Sequence, residues 1–149
     1  MADIEKVYLD VCTLCRPFDN QHMMRIKLET DAFYLILQNI ISGNYTMVVS
    51  PVHTEEIQAI EDPFERSEIV LLISQIGKTI KPSIKLRKRA EYLYEENFGI
   101  ADAAHVAYAE GNADVFISCD DRLVKKCKKL PIKIPAMNPI EFCNKENIK

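Results

Sequence analysis

Acidic side chains follow the short apolar runs of this sequence. Asp10 closes Val7-Tyr8-Leu9, Glu55 and Glu56 come soon after Thr46-Met47-Val48-Val49, and Asp120, with Asp121 beside it, follows Val115-Phe116-Ile117-Ser118. A further acid, Asp102, has His105, Val106 and Ala109 three, four and seven residues on, so in a helix it shares a face with small and apolar groups. Each acid alone reads as an ordinary turn or helix cap. Together, at one edge of a fold, carboxylates repel and raise one another's pKa, and none of these has an evident Lys or Arg partner in the sequence. A divalent cation resolves that repulsion. Oxygen ligands with few histidines select Mg²⁺ or Mn²⁺ over zinc, and Mg²⁺ pairs readily with phosphates. The chemistry that such a group supports is metal-assisted phosphodiester hydrolysis, in which the ion activates a water and neutralises charge on phosphorus.

Rival chemistries are poorly served by the same chain. Cys12 and Cys15 have redox-motif spacing, but Arg16-Pro17 follows at once and no helical pattern is expected there to lower a thiol pKa. Cys119, Cys127 and Cys143 give no second close pair for zinc. A phosphatase of the haloacid-dehalogenase type needs a second Asp two residues after the first, where Cys12 stands. The three histidines, His22, His53 and His105, lie in unrelated contexts, which disfavours cleavage by paired imidazoles.

Positioning these acids requires strands that end where they stand. Val7–Leu9, Thr46–Val49 and Val115–Ser118 read as buried strands, and Ile132-Lys133-Ile134 as a further one. Between them, apolar residues recur at helical spacing through Ile26, Phe33, Ile36, Leu37, Ile40 and Ile41, with Gly43 closing that helix. Ser50-Pro51 and Asp62-Pro63 carry helix-start signals. Gly77 ends the helix that Asp62 opens. Ser83 opens another helix, to Glu96, stopped by Asn97-Phe98-Gly99; helices over Asp102–Glu110 and Asp121–Lys128 and a turn of helix at Asn138–Phe142 complete the series. Strands alternating with helices, without hairpin dipeptides, predict an α/β three-layer sandwich: a central parallel sheet of about four to five strands with helices on both faces. In such a sheet the site lies at the carboxyl ends of the strands.

Composition sets the class. With 149 residues, 48% of them hydrophobic, the chain suits one domain spanning residues 1–149, and no apolar run is long enough to span a membrane. The N-terminus shows no basic-then-apolar leader, so a cytoplasmic protein is expected, and an odd count of 5 Cys argues against a disulfide framework. Net charge is −3, without the basic balance typical of a nucleic-acid binder, yet Lys78–Arg89 and Arg122–Lys133 concentrate Lys and Arg that are able to hold phosphates beside a metal.

The segments VYLDVCTLCRPFDNQ, VVSPVHTEEI, GIADAAHVAYA and DVFISCDDRLVKK, followed by NPIEF, resemble in order and spacing the PIN-domain nucleases, a family that includes the VapC-type toxins of toxin–antitoxin pairs. The resemblance implies a Mg²⁺- or Mn²⁺-dependent endoribonuclease that leaves a 5′-phosphate and a 3′-hydroxyl. By matching motifs it implies Asp10, Glu56, Asp102 and Asp120 as the catalytic, metal-holding acids, with Glu55 and Asp121 as competitors for the second and fourth places. Cys12 departs from the polar residue that many members carry two positions after the first acid, and Thr13 or Ser118 is the expected substitute hydroxyl. His105 matches a frequent family residue and is expected to pack or orient the site. The resemblance further implies an RNA substrate, an antitoxin partner and a homodimer, with Phe18, Met23, Met24 and Ile26 as candidate contact residues. The alternative is a non-catalytic PIN-like module that binds RNA or protein.

Overall fold

Strand β1 (Lys6–Leu9) occupies the centre of a parallel sheet in the computed structural model, which describes residues 3–149. The other strands are β2 (Thr46–Val49), β3 (Gly77–Thr79), β4 (Val115–Ile117) and β5 (Ala136–Met137), and the order across the 5-stranded sheet is β3-β2-β1-β4-β5 among the described residues. Every pairing is parallel: Val7 lies opposite Met47 on one side and Val115 on the other. Connections therefore run through helices: α1 (Val11–Leu14), α2 (Met24–Ile41), α3 (Pro51–Gln58), α4 (Pro63–Ile76), α5 (Ile84–Glu95), α6 (Ile100–Asn112), α7 (Asp121–Lys129) and α8 (Pro139–Lys145).

Alternation along β1 splits the core into two. Val7 and Leu9 face one layer with Phe33, Ile36, Ile69 and Phe142 from α2, α4 and α8. Tyr8 faces the other with Val48, Leu93, Val106, Phe116 and Leu123, beneath α5, α6 and α7. Because both faces are covered, the central strands are apolar without interruption, which is why they were readable as short runs of β-prone residues. The three-layer α/β sandwich expected from the sequence is present.

Two edges depart from expectation. Ile132-Lys133-Ile134 is not a strand. Its backbone is committed elsewhere, with Ile132 N–H donating to the Leu130 carbonyl at 2.7 Å and Lys133 N–H to Glu110 Oε2 at 2.9 Å. Pairing with β4 starts only at the Pro135 carbonyl, which accepts from Phe116 N–H at 3.0 Å, so β5 lies at Ala136–Met137. Gly77 does cap α4, but it also begins β3, an edge strand that the sequence did not announce because Gly-Lys-Thr has no apolar side chain to bury. A third departure is α1, a short helix over Cys12 where none was expected, with Asp10 as its N-cap.

Gly77 is where α4 passes closest to the sheet. A Cβ there would meet Val49 Cγ2 at 2.6 Å and the Ile73 carbonyl oxygen at 2.7 Å, and the second contact is backbone that cannot swing aside. Gly77→Ala is therefore expected to destabilise the protein by about 1–3 kcal/mol in urea unfolding followed by far-UV circular dichroism. An unchanged midpoint would show that β3 and α4 separate freely.

Candidate active site

The order β3-β2-β1-β4-β5 reverses direction between β1 and β4, and at such a switch point the crossovers leave to opposite faces and open a crevice at the strands' carboxyl ends. Asp10 stands there, immediately after β1, its N–H donating to the Ile117 carbonyl of β4 at 3.2 Å. The residue is 4% exposed, and among the described residues no Lys or Arg forms an ion pair with it. Its oxygens are instead served by hydroxyls and a thiol: Thr13 Oγ1 donates to Oδ1 at 2.8 Å, Cys12 Sγ to Oδ1 at 3.1 Å and Ser118 Oγ to Oδ2 at 2.6 Å. The hydroxyls expected to make up for Cys12 are thus both in place, and Cys12 joins them.

Three further acids reach the same edge. Asp102, in the first turn of α6, is half-buried, and its carboxyl is pushed above the usual carboxylate range. Burial is the chief cause, followed by the negative charge of Asp120 and Asp10, with a smaller contribution from Glu56; His105 acts in the opposite sense. Asp120 caps α7, its Oδ1 accepting from the backbone N–H groups of Arg122 and Leu123 at 3.0 and 3.3 Å. Glu56, on α3, is hydrogen-bonded by His105 Nε2, and that bond holds its carboxyl below the ordinary value against the opposing effect of partial burial. Among the described residues, no Lys or Arg forms an ion pair with Asp10, Glu56, Asp102 or Asp120.

The competitors stand apart. Asp121 is engaged by Arg25 Nη2 at 2.5 Å, which lowers its pKa. Glu55 is exposed and lines a separate cleft of about 620 Å³ with Ile84, Arg87 and Tyr108. Lys81, Lys85 and Arg89 of the first basic stretch meet Lys133 of the second around a groove of about 590 Å³ at the far end of α6, whereas Arg122 stands beside Asp120 at the start of α7. Among the described residues, no three His, Cys, Asp or Glu side chains stand close enough to enclose an ion directly.

A helix N-terminus does lie at Cys12, but neither thiol of the pair is activated. Packing around Sγ, then the Asp10 charge, pushes Cys12 up, while burial followed by Glu65 pushes Cys15 up to about 12. All five cysteines are free. Redox chemistry is disfavoured by burial of the thiols and, next, by their carboxylate neighbours, rather than by the missing helix that the sequence suggested.

Two features escaped sequence reading. Glu29, fully buried on α2, accepts from Arg16 Nε and Nη2 at 3.0 and 2.8 Å on Oε1, and Arg25 approaches its Oε2 at 3.7 Å. The signal was available, since Glu29 falls between Ile26 and Phe33 on the core-facing stripe of α2. Beneath the acids lies a buried polar chain. His105 Nδ1 meets Tyr8 Oη at 2.6 Å, Tyr8 Oη meets Ser50 Oγ at 2.7 Å, and Ser50 N–H donates to His53 Nδ1 at 3.0 Å. His53 Nε2 then donates to the Leu9 carbonyl at 2.6 Å.

The polypeptide chain shares its architecture with chains of known structure. One is from the crystal structure of VapBC2 from Rickettsia felis bound to a DNA fragment from its promoter, with a TM-score of 0.61 and 17% identity over 89% of this chain and 98% of that one. Another is from the structure of FitAcB from Neisseria gonorrhoeae, with a TM-score of 0.53 and 15% identity over 89% and 97%. The fold is PIN-like. No protein-family model and no curated protein matches the sequence.

Burial and, next, the neighbouring His105 hold His53 neutral, its pKa lowered from 6.5 to about 4. The unfolded chain takes up that proton near the ordinary value and the folded one only at the lower value, so stability rises with pH across this window and is lost as pH falls through it. The interval corresponds to about 3 kcal/mol. Wild type is expected to lose that much more unfolding free energy than His53→Gln between pH 7 and pH 4. Parallel curves for the two proteins would contradict a neutral buried imidazole.

Proposed function

We propose that this protein is a metal-dependent endoribonuclease acting as the toxin of a toxin–antitoxin pair. The arrangement that carries the reading is Asp102, half-buried at the switch point, its carboxyl pushed up by burial and by Asp120, Asp10 and Glu56, with no Lys or Arg among the described residues paired to any of the four acids. A set of hard oxygen donors in mutual repulsion is suited to a hard divalent cation. Asp10, Asp102 and Asp120 would hold Mg²⁺ or Mn²⁺, largely through water, because the side chains are set wider than direct enclosure requires and a magnesium-sized ion keeps several of its waters. When bound, the ion supplies an activated water and charge neutralisation at phosphorus.

The chain's own residues have defined tasks in this reading. Thr13, Ser118 and Cys12 fix the rotamer of Asp10 by donating to both of its oxygens. His105 orients Glu56, which positions the attacking water and accepts its proton. Two backbone N–H groups at the α7 N-terminus fix the position of the Asp120 side chain. RNA is the substrate assigned, since metal-bound acids favour a phosphodiester over a neutral ligand. An antitoxin protein is the partner assigned, in keeping with the resemblance to VapC-type toxins and the fold shared with a VapBC2 chain. Phe18, Met23 and Met24, which are 39%, 56% and 78% exposed, offer apolar surface for such a partner or for a homodimer, while Ile26 is half-buried. Among the described residues no helix is long and apolar enough to cross a membrane, and a cytoplasmic location is part of the proposal.

Asp10→Asn keeps the size and shape of the side chain and removes the charge. In a cleavage assay on single-stranded RNA with Mn²⁺, this variant is expected to lose at least about 100-fold in rate, or about 2.7 kcal/mol of transition-state stabilisation, with an unchanged circular dichroism spectrum. Undiminished cleavage by the variant would remove Asp10 from the mechanism. A wild-type protein that binds RNA but neither cuts it nor takes up Mn²⁺ would be the non-catalytic module instead.

A further inference from the structure

Tyr8 is 0% exposed and sits in the centre of the sheet, where a phenylalanine ring would fill nearly the same space against His53, His105 and Phe116. A buried hydroxyl is costly unless it is hydrogen-bonded, and this one has partners on both sides, His105 Nδ1 at 2.6 Å and Ser50 Oγ at 2.7 Å. We propose that Tyr8 is a positioning residue for the acid edge, its hydroxyl fixing the tautomer and ring orientation of His105 so that His105 holds Glu56 toward Asp102. The proposal rests on the reading of Glu56 as one of the working acids.

For a neutral His105 ring, the donors and acceptors along the chain take one order. The Glu56 carboxylate only accepts, so His105 Nε2 carries the proton that reaches it. In the neutral ring Nδ1 is then an acceptor, and Tyr8 O–H donates to it. The Tyr8 oxygen in turn accepts from Ser50 O–H. His53 Nδ1 already accepts the Ser50 backbone N–H, which leaves the proton on Nε2 to donate to the Leu9 carbonyl.

The connections span the site. Leu9 precedes Asp10, Ser50 and His53 open the segment that carries Glu56, and His105 lies one turn after Asp102 on α6. One chain of hydrogen bonds therefore ties the backbone positions of three acids that arrive on different elements. A residue that hydrogen-bonds and so orients a metal-site side chain commonly contributes about 10–100-fold in metal affinity or activity.

The test is Tyr8→Phe, compared with wild type by ¹⁵N NMR of the histidine rings and ¹³C NMR of the Glu56 carboxyl in metal-free protein, together with Mn²⁺ titration and RNA-cleavage kinetics. Wild type should show His105 as the Nε2–H tautomer. The variant should shift the His105 Nδ1 and Glu56 carboxyl resonances, lose about 10-fold in kcat with KM changed less than twofold, and bind Mn²⁺ about 10-fold more weakly. Unmoved resonances with kcat within twofold would overturn the proposal. So would an Nδ1–H tautomer in wild type, a result that stands even if the variant fails to fold. Wild-type protein that cuts no RNA would sink the nuclease reading alone, because the resonances still decide for or against Tyr8.

Discussion

Negative charge held together with no paired Lys or Arg among the described residues is the constraint around which this structure is arranged. Asp10 is almost fully buried, Asp102 is half-buried, and Asp120 and Glu56 act on Asp102 from neighbouring elements. Isolated carboxylates at such depth are expensive. The protein offsets part of the cost locally, by hydroxyl and thiol donors at Asp10, two backbone N–H groups at Asp120 and an imidazole at Glu56. None of these cancels the charge at Asp102. Arg16 and Arg25 are engaged by other acids, Arg16 by buried Glu29 and Arg25 by Asp121.

Topology converts scattered sequence positions into that arrangement. A parallel sheet whose order turns between β1 and β4 brings the residues after both strands to one crevice, and α6 starts at the same edge. The side chains beneath are polar in a region that is otherwise apolar. Tyr8, Ser50, His53 and His105 are each at most 2% exposed, yet every one of them is hydrogen-bonded. Such a network restricts the geometries open to the acids above it more narrowly than apolar packing would.

The central strands and the long helices could be read from the sequence because burial on both faces leaves uninterrupted β-prone runs, and because caps such as Ser50-Pro51, Asp62-Pro63 and Asn138-Pro139 mark where helices begin. Gly43, at φ +86°, closes α2 as its residue type suggests. The edges were hidden for physical reasons. β3 is made by backbone pairing alone, and Ile132 and Ile134 bury side chains without joining the sheet, so their alternation misled. Of the site, the acids themselves were readable as strand-end and helix-face residues. Their support was not: a tyrosine and two histidines within core-forming stretches have the same pattern as any buried side chain, and only three-dimensional contact distinguishes them.

Crystals soaked in Mn²⁺ and measured at the manganese absorption edge should show an anomalous peak in the crevice bounded by Asp10, Asp102 and Asp120, with Glu56 facing it. Density showing those carboxylates free of manganese at millimolar concentration, or each turned to a separate protein donor with the ion bound elsewhere, would contradict a metal-holding role for these acids.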